Sequence, residues 1–319
     1  MSNHTHGIDA ATWAFIRATE AAYPADTSGF TMAQHRAAYD AMCRVFYHGR
    51  PDGVAVHDTK VAGVPCRTYQ GGPVQLVYFH GGGFYAGGLH SHDDVCAELC
   101  ARTGLTVTAV DYRLSPENLH PAAYEDAMAV TRALALRGPV LVAGDSAGGN
   151  LAAAVCHGMR AEATTLLGQV LIYAGLGGDM NRGSYLTHAN APMLTRADVV
   201  MGSGIRHGGQ QPFGDPTAMP LCDHDFTGLP PTLAIAAECD PIADDGPAYA
   251  AAITAAGGRA MAYTEPGLVH GYLRARHSVP RAAASFTRIC NALTDLSQGI
   301  WPPQSVLQTP PFWPNRSFP

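Results

Sequence analysis

A serine set between glycines is the first candidate for chemistry. Gly144-Asp145-Ser146-Ala147-Gly148 has the form G-x-S-x-G; it follows an apolar run at 139–143 and opens a segment of helical composition at 149–155. Between a strand and a helix, this motif forms a sharp turn that holds the serine in a strained backbone at a helix N-terminus. The pattern predicts that Ser146 is a nucleophile. The alternative is a glycine-rich turn that carries an incidental serine.

A second glycine-rich motif suits the stabilisation of a negatively charged oxygen. His80-Gly81-Gly82-Gly83-Phe84 follows the apolar run Val74–Phe79. Attack on a carbonyl group builds charge on its oxygen, and glycines let backbone N–H groups approach that oxygen closely. The predicted oxyanion donors are the N–H groups of Gly82, Gly83 and Ala147. A phosphate-binding loop is the alternative, but no Gly-Lys-Ser/Thr follows, and we interpret His80 as structural.

A candidate acid follows the serine in the chain. With this kind of serine turn, the expected order is serine, acid, histidine. Asp240 comes just after the apolar run Thr232–Ala237, and sheets of parallel strands build their sites at the carboxyl ends of the strands. Asp244 and Asp245 are its rivals, and we interpret them as first-turn acids of the next helix, which the helix dipole favours.

A candidate base is found among 15 histidines by its position. His270 lies past the last predicted strand, Arg259–Thr264, and Gly271 follows it; the nearest competitor, His277, falls in a predicted helix. In the predicted reaction His270 takes the proton of Ser146 as the serine attacks an ester carbonyl. Asp240 orients the imidazole and stabilises its cation, and water then hydrolyses the acyl-enzyme.

These side chains need a scaffold that brings distant parts of the chain to one edge. From residue 54 onward, short apolar runs alternate with helical segments, which favours an α/β fold with a mostly parallel central sheet flanked by helices. The predicted strands are Val54–Asp58, Val64–Tyr69, Val74–Phe79, Leu105–Val110, Val140–Ala143, Gln169–Tyr173, Thr232–Ala237 and Arg259–Thr264.

Three stretches fall outside this alternation. Residues 1–50 have helical spacing, 175–225 contains no clear strand yet is too long for a structureless loop, and 301–319 is rich in proline. We predict N-terminal cap helices over 1–50, a core over 51–174 and 226–300, a helical cap insertion over 175–225 and a C-terminal tail over 301–319. The tail is expected to pack through its aromatic residues Trp301, Phe312 and Trp313.

Composition excludes several classes of function. The chain has 319 residues, 47% of them hydrophobic, and a net charge of −6 with no basic stripe, so nucleic acid is not an expected partner. No secretion signal and no apolar stretch of about 20 residues is found, which predicts a cytoplasmic protein without a membrane span. The 8 cysteines include no C-x-x-C, so zinc spacing is absent and reduced thiols are expected.

A metal site is the remaining alternative from the residues themselves. His90, His92, Asp93 and Asp94 lie close together in the sequence. They fall at the start of a predicted helix, and we interpret them as capping and solvated groups. No metal and no other cofactor is therefore predicted.

The motifs together resemble those of the bacterial hormone-sensitive-lipase-like carboxylesterases, the family IV esterases of the α/β-hydrolase fold. The matching segments are His80–Phe84, Tyr112–Glu117, Gly144–Asn150, Asp240–Ile242 and His270-Gly271. The resemblance implies Ser146, Asp240 and His270 as the catalytic triad, an oxyanion hole, and hydrolysis of short- to medium-chain acyl esters without a cofactor. It also makes the N-terminal helices and 175–225 the cap, and we interpret Arg113 and Glu117 as a pair that supports the scaffold.

The substrate is less defined than the chemistry. The expected partner is a small-molecule ester, and a homodimer is left open because this fold often dimerises through its last strand. The candidate substrate-binding residues are Phe84, Tyr85, Met193, Phe213, Ile242 and Leu268. The alternatives are an amidase or other acyl hydrolase with the same triad, or a binding protein that kept the fold and lost catalysis.

Overall fold

The computed structural model describes residues 7–24, 26–27, 29–162, 166–210 and 214–303. An eight-stranded sheet lies at the centre of this part of the chain. The strands are β1 (Val56–Val61), β2 (Val64–Tyr69), β3 (Gln75–Phe79), β4 (Thr106–Val110), β5 (Val140–Asp145), β6 (Gly168–Ile172), β7 (Thr232–Cys239) and β8 (Ala260–Val269). Their order across the sheet is β1-β2-β4-β3-β5-β6-β7-β8. Only the pairings β1–β2 and β2–β4 are antiparallel.

Helices cover both faces of this sheet. They are α1 (Ala10–Ala22), α2 (Met32–Val45), α3 (Asp93–Thr103), α4 (Ala122–Ala135), α5 (Ala147–Met159), α6 (Gly183–Thr187), α7 (Arg196–His207), α8 (Asp245–Ala255) and α9 (Pro280–Ser297). One buried cluster packs α3 and α9 on one face, and a second packs α4, α5 and α8 on the other. Neighbouring residues of a strand enter opposite clusters, as Leu76 and Val77 of β3 do, because side chains alternate along a strand. The predicted fold class is confirmed.

The bounds of several predicted strands were wrong, most clearly those of β1 and β8. β1 begins at Val56 rather than Val54, and β8 continues to Val269 rather than ending at Thr264. β8 is an edge strand that pairs only with β7, across an irregularity between Ala237 and Cys239. An edge strand tolerates Pro266, because its missing N–H lies on the unpaired side or at a bulge. The extension places His270 directly after the strand.

The segments predicted to flank the core contain helices where helices were expected. Residues 1–50 hold α1 and α2, and 175–225 holds α6 and α7. Trp301 packs against the buried cluster of α3 and α9, whereas Phe312 and Trp313 lie outside the described residues. Among the described residues, no helix combines the length and hydrophobicity needed to cross a membrane.

Arg113 and Glu117, interpreted as a pair that supports the scaffold, do so through separate partners. Arg113 contacts Asp126 at 2.9 Å and Glu125 at 3.1 Å, so it fastens the start of α4. Glu117 instead accepts a hydrogen bond of 3.0 Å from Arg36 in α2. Arg36 also donates to the carbonyl oxygen of Tyr85 at 2.7 Å, which ties α2 to the loop that follows β3.

Candidate active site

Ser146 occupies the turn between β5 and α5 with a strained backbone. Its φ of 53° and ψ of −119° lie outside the regions that non-glycine residues favour, a strain of about 1–3 kcal/mol that the surroundings must hold. A Cβ at Gly148 would lie 1.9 Å from the carbonyl oxygen of Phe79, and one at Gly144 would lie 2.4 Å from the carbonyl of Gly148. Both glycines are therefore required by close backbone contacts, which explains their place around the serine.

The structure brings the three predicted side chains into one chain of hydrogen bonds, here called the candidate triad. His270 Nε2 lies 2.9 Å from Ser146 Oγ, and His270 Nδ1 lies 2.7 Å from Asp240 Oδ2. Asp240 is fully buried, and its other oxygen accepts a hydrogen bond of 3.1 Å from the backbone of Ile242. This spacing allows proton transfer from the hydroxyl to the imidazole, with the carboxylate fixing the ring.

The glycine loop, residues 80–84, lies beside the serine turn. Gly82 and Gly83 have φ values of 128° and 61°, and a Cβ at Gly82 would lie 2.2 Å from the carbonyl oxygen of Ala86. Both glycines line the same cavity as Ser146 and Ala147. No hydrogen bond from the N–H groups of Gly82, Gly83 or Ala147 is found among the described residues. These three donors are therefore available to a ligand.

Asp145, next to the serine, connects the serine turn to the glycine loop. Its Oδ1 accepts hydrogen bonds from the Tyr78 hydroxyl at 2.8 Å and from the Gly81 N–H at 3.0 Å, while Oδ2 lies 3.3 Å from His92 Nε2. Burial alone would raise the pKa of Asp145, but His92, the charge of Arg274 and the hydrogen bond from Tyr78 outweigh it and hold that pKa well below its usual range. Asp145 thus stays ionised inside the protein. Sequence reasoning treated it only as a variable position of the motif.

His80 is structural, as predicted, and it stays neutral. It is 3% exposed, and its ring stacks on Tyr112 with 4.3 Å between the ring centroids. Burial, reinforced by the charge of neighbouring His92, lowers the pKa of His80 to about 4. The imidazole therefore fills space behind the glycine loop without carrying charge at neutral pH.

Asp244 and Asp245 lie at the start of α8, as predicted, and their carboxylates also bind the segment that follows β6. Asp245 Oδ2 accepts hydrogen bonds from the N–H of Leu176 at 2.6 Å and from the Tyr185 hydroxyl at 3.1 Å. Asp244 accepts one from the N–H of Ser184 at 2.8 Å. Burial raises the pKa of Asp245 to about 6. The two carboxylates anchor the start of segment 175–225 to the loop that carries Asp240.

A cavity of about 510 Å³ opens above the candidate triad. Four of the predicted substrate-binding residues line it, namely Phe84, Tyr85, Met193 and Ile242. The prediction for Leu268 was wrong, because β8 extends through this residue and its side chain is fully buried in the core. Phe213 lies outside the described residues.

Several residues that line the cavity were missed from the sequence. Tyr173 follows β6 with a φ of 34°, and its ring packs edge-on against His270 with 4.9 Å between centroids. Arg206 of α7 lies over the ring of Phe84 at 3.6 Å, and Tyr39 and Arg274 contribute further polar groups to the wall. No short motif marks these positions. The only available signal was that Arg274 lies four residues after His270 in the chain.

In the acidic and histidine cluster at the start of α3, His90 is exposed as predicted, whereas His92, Asp93 and Asp94 are buried. Asp93 and Asp94 are 4% and 5% exposed, and His92 makes no side-chain cap. Asp93 pairs with Arg50 at 2.7 Å and Arg67 at 3.0 Å, because a buried carboxylate needs such partners. Across the described ranges, no group of three or more His, Cys, Asp or Glu residues is arranged to hold a metal ion.

The order of the sheet and a serine turn at the end of β5 define an α/β hydrolase. Comparison with known proteins agrees, because a sequence model of the alpha/beta hydrolase fold matches residues 76–274. Carboxylesterase NlhH of Mycobacterium tuberculosis is 37% identical over 68% of this chain and 72% of its own length. An ethyl acetate hydrolase of Pseudomonas putida is 31% identical over 68% of this chain and 72% of its own.

A solved structure shows the same architecture. An esterase of Pyrobaculum calidifontis superposes with a TM-score of 0.78 and 30% identity, covering 84% of this chain and 94% of its own. The chain belongs to the hormone-sensitive-lipase-like carboxylesterases of the α/β-hydrolase fold. It is a carboxylic ester hydrolase, and the predicted family and class of enzyme are confirmed.

Proposed function

We propose that this protein is a serine carboxylesterase that hydrolyses short- to medium-chain acyl esters through Ser146, His270 and Asp240. The observation that carries the proposal is the unbroken series of contacts from the Ser146 hydroxyl through the imidazole to the buried carboxylate, at 2.9 and 2.7 Å. The relatives that are named as a carboxylesterase and an ethyl acetate hydrolase support the choice of ester over amide.

The proposed reaction passes through an acyl-enzyme. Ser146 Oγ attacks the ester carbonyl while His270 Nε2 accepts its proton, and the charge on the carbonyl oxygen is met by the N–H groups of Gly82, Gly83 and Ala147. His270 then gives the proton to the departing alcohol. A water molecule repeats the sequence on the acyl-enzyme, which releases the acid and restores the serine.

We further propose that α1, α2 and segment 175–225 form a cap over the candidate triad. Residues from all three line the cavity, for example Thr19, Tyr39 and Met193. The volume of about 510 Å³ suits a small ester better than a long acyl chain. Arg36 and Asp245 hold the two parts of the cap to the core.

A series of p-nitrophenyl esters of increasing acyl length tests this function. We expect kcat/KM to be highest for short acyl chains and to fall beyond medium length, and we expect Ser146→Ala to abolish turnover. Residual turnover in that variant would refute the nucleophile, and a flat chain-length profile would refute the small pocket. The corresponding p-nitroanilides test the amidase alternative, for which the proposal expects no comparable rate.

A further inference from the structure

Arg274 places a cation in the cavity wall beside the candidate base. It lies in the 3₁₀ turn Tyr272–Ala275, four residues after His270, and it lines the same cavity as Ser146. A Cβ at Gly271 would lie 2.9 Å from Arg274 Nη1. The guanidinium therefore packs directly against the backbone that follows the imidazole, and the glycine makes room for it.

Among the described residues no carboxylate contacts Arg274 directly, although the buried charge of Asp145 acts on it from farther away. Its Nη2 donates a hydrogen bond of 2.5 Å to the Tyr39 hydroxyl, and no carboxylate oxygen lies within 4.0 Å of it in the part of the chain that the structure describes. Its Nε is buried, again with no partner among those residues. Arg276, two residues later, makes the contrast clear, because it contacts Asp94 and Glu98 at 2.7 Å each. A largely buried arginine is normally paired in this way.

The other charged groups of the cavity are already engaged or exposed. Arg206 lies against Phe84 and donates to Asn150 at 3.2 Å, so it holds α7 to the core. Asp145 is 3% exposed, and its carboxylate is hydrogen-bonded to Tyr78, Gly81 and His92. The two remaining carboxylates that line the cavity, Glu20 and Asp198, are exposed. Among the described residues, Arg206 and Arg274 are thus the arginines of the cavity wall without a carboxylate in contact, and Arg274 is the one that lies beside the candidate base.

We propose that Arg274, together with the Tyr39 hydroxyl, binds a carboxylate group of the substrate. The preferred substrates are then esters that carry a second, free carboxylate, such as monoesters of dicarboxylic acids or carboxylate-bearing alcohols esterified with a short acid. A guanidinium presents a planar fork of N–H donors that matches a carboxylate. Burial raises the pKa of Tyr39 well above its usual range, so its hydroxyl keeps a proton to donate. This inference rests on the proposed esterase function and specifies its substrate class.

Matched pairs of substrates test the inference. Ethyl hydrogen glutarate against its terminal amide places the charge on the acyl half, and 4-acetoxybutanoate against its amide places it on the alcohol half. We expect kcat/KM to favour the carboxylate by about tenfold or more in at least one pair, which corresponds to ~1.4 kcal/mol. The pair that shows the preference identifies the half of the ester that reaches Arg274.

Arginine variants assign the preference to this residue. In Arg274→Gln, we expect the carboxylate-to-amide ratio of kcat/KM to fall to about one, and we expect Arg274→Lys to restore part of it. Arg132→Gln removes an exposed arginine that pairs with Glu162, and it should keep the wild-type ratio. If Arg274→Gln fails to fold, inhibition of the unmodified protein by glutarate but not by glutaramide tests whether the cavity binds a carboxylate, and a weaker preference in Arg274→Lys assigns it to this residue.

The outcomes separate this inference from the function on which it rests. A preference for the amide in both pairs, or a ratio that is the same in Arg274→Gln and wild type, overturns the carboxylate site while turnover of neutral esters through Ser146 stands. If the protein hydrolyses no ester of either pair and no p-nitrophenyl ester, the proposed function fails and this inference fails with it.

Discussion

The carboxylate of Asp145 accepts a hydrogen bond of 3.0 Å from the backbone N–H of Gly81. The residue before the candidate nucleophile thus fixes the loop that supplies two of the candidate oxyanion donors. A Cβ at Gly81 would lie 2.4 Å from Asp145 Oδ2, so the loop passes as close to this carboxylate as a backbone can. The buried carboxylate of Asp145 therefore positions both the candidate nucleophile and the loop that carries candidate oxyanion donors.

Asp145→Asn should lower both activity and stability. The amide keeps one acceptor for Gly81 and Tyr78 but loses the charge that His92 stabilises. Because a hydrogen bond to a charged group contributes about 1.5–3 kcal/mol, we expect a loss of that size in the free energy of unfolding. We also expect kcat to fall by about tenfold or more, with a smaller change in KM. Unchanged kcat in a folded variant would contradict the positioning role.

Asp240→Asn should separate binding from chemistry. Without the carboxylate, the His270 ring loses the partner that fixes its tautomer, a change that lowers kcat by about 10⁴ in serine hydrolases of this type. KM should change little, because Asp240 is fully buried and does not line the cavity. Steady-state kinetics measure both values. Asp58→Asn, at a side chain that is 62% exposed on β1, is the control and should retain wild-type kinetics.

Gly83→Ala should act mainly on kcat. At a φ of 61° the new methyl group would be strained and would lie 2.7 Å from the Tyr85 ring, so the loop or the ring must shift, and we expect the backbone N–H to move with the loop. Loss of one oxyanion donor costs about 2.7–4 kcal/mol in the barrier, or 10²–10³ in rate. Gly53→Ala introduces the same kind of backbone strain, at a φ of 82° and with no atom within 4 Å. Gly53→Ala should reduce stability and leave kcat unchanged. Equal losses of kcat in both variants would mean that backbone strain, and not the geometry of the donor, is the cause.

His80→Gln should make the protein less sensitive to acid. The folded protein lowers the pKa of His80 from its ordinary value of 6.5 to about 4. Between about pH 6.5 and 4, the unfolded chain therefore binds a proton at this histidine that the folded protein does not bind. The contribution of neutral His80 to the free energy of unfolding is complete above about pH 6.5 and is lost as the pH falls toward 4. Glutamine does not titrate. In the variant the free energy of unfolding should therefore fall less steeply as the pH drops from about 6.5 to 4, and the difference in slope corresponds to up to one proton. Denaturant unfolding at several pH values between 4 and 8 measures it; parallel slopes would contradict the assignment.

The sequence predicts the parts of this molecule that follow from local rules. Apolar runs between turn residues mark the strands, and the close contacts of Gly144 and Gly148 require glycine, so the serine turn is readable as a motif. Chain order and strand ends were sufficient to select Asp240 and His270, which the structure brings within hydrogen-bond distance of one another.

The remaining features depend on contacts between distant segments. Arg274 and Tyr39 are 235 residues apart in the chain, and neither belongs to a motif. Leu268 was misplaced because the register of β8 against β7 decides which residues of an edge strand face the core. Asp245 has the composition of a helix start, yet its carboxylate is used by Leu176 and Tyr185. Such partners are fixed by tertiary packing and leave no local pattern.

The anchorage of segment 175–225 on Asp244 and Asp245 limits how freely this enzyme can be rebuilt. The same short loop presents Asp240 on one side and holds the overlying segment on the other. A chimaera that exchanges 175–225 for the equivalent stretch of a relative inherits a buried carboxylate that has lost its donors, unless 240–245 is transplanted with it. Segments 175–225 and 240–245 therefore form a single module for recombination, and crossover points should lie outside both.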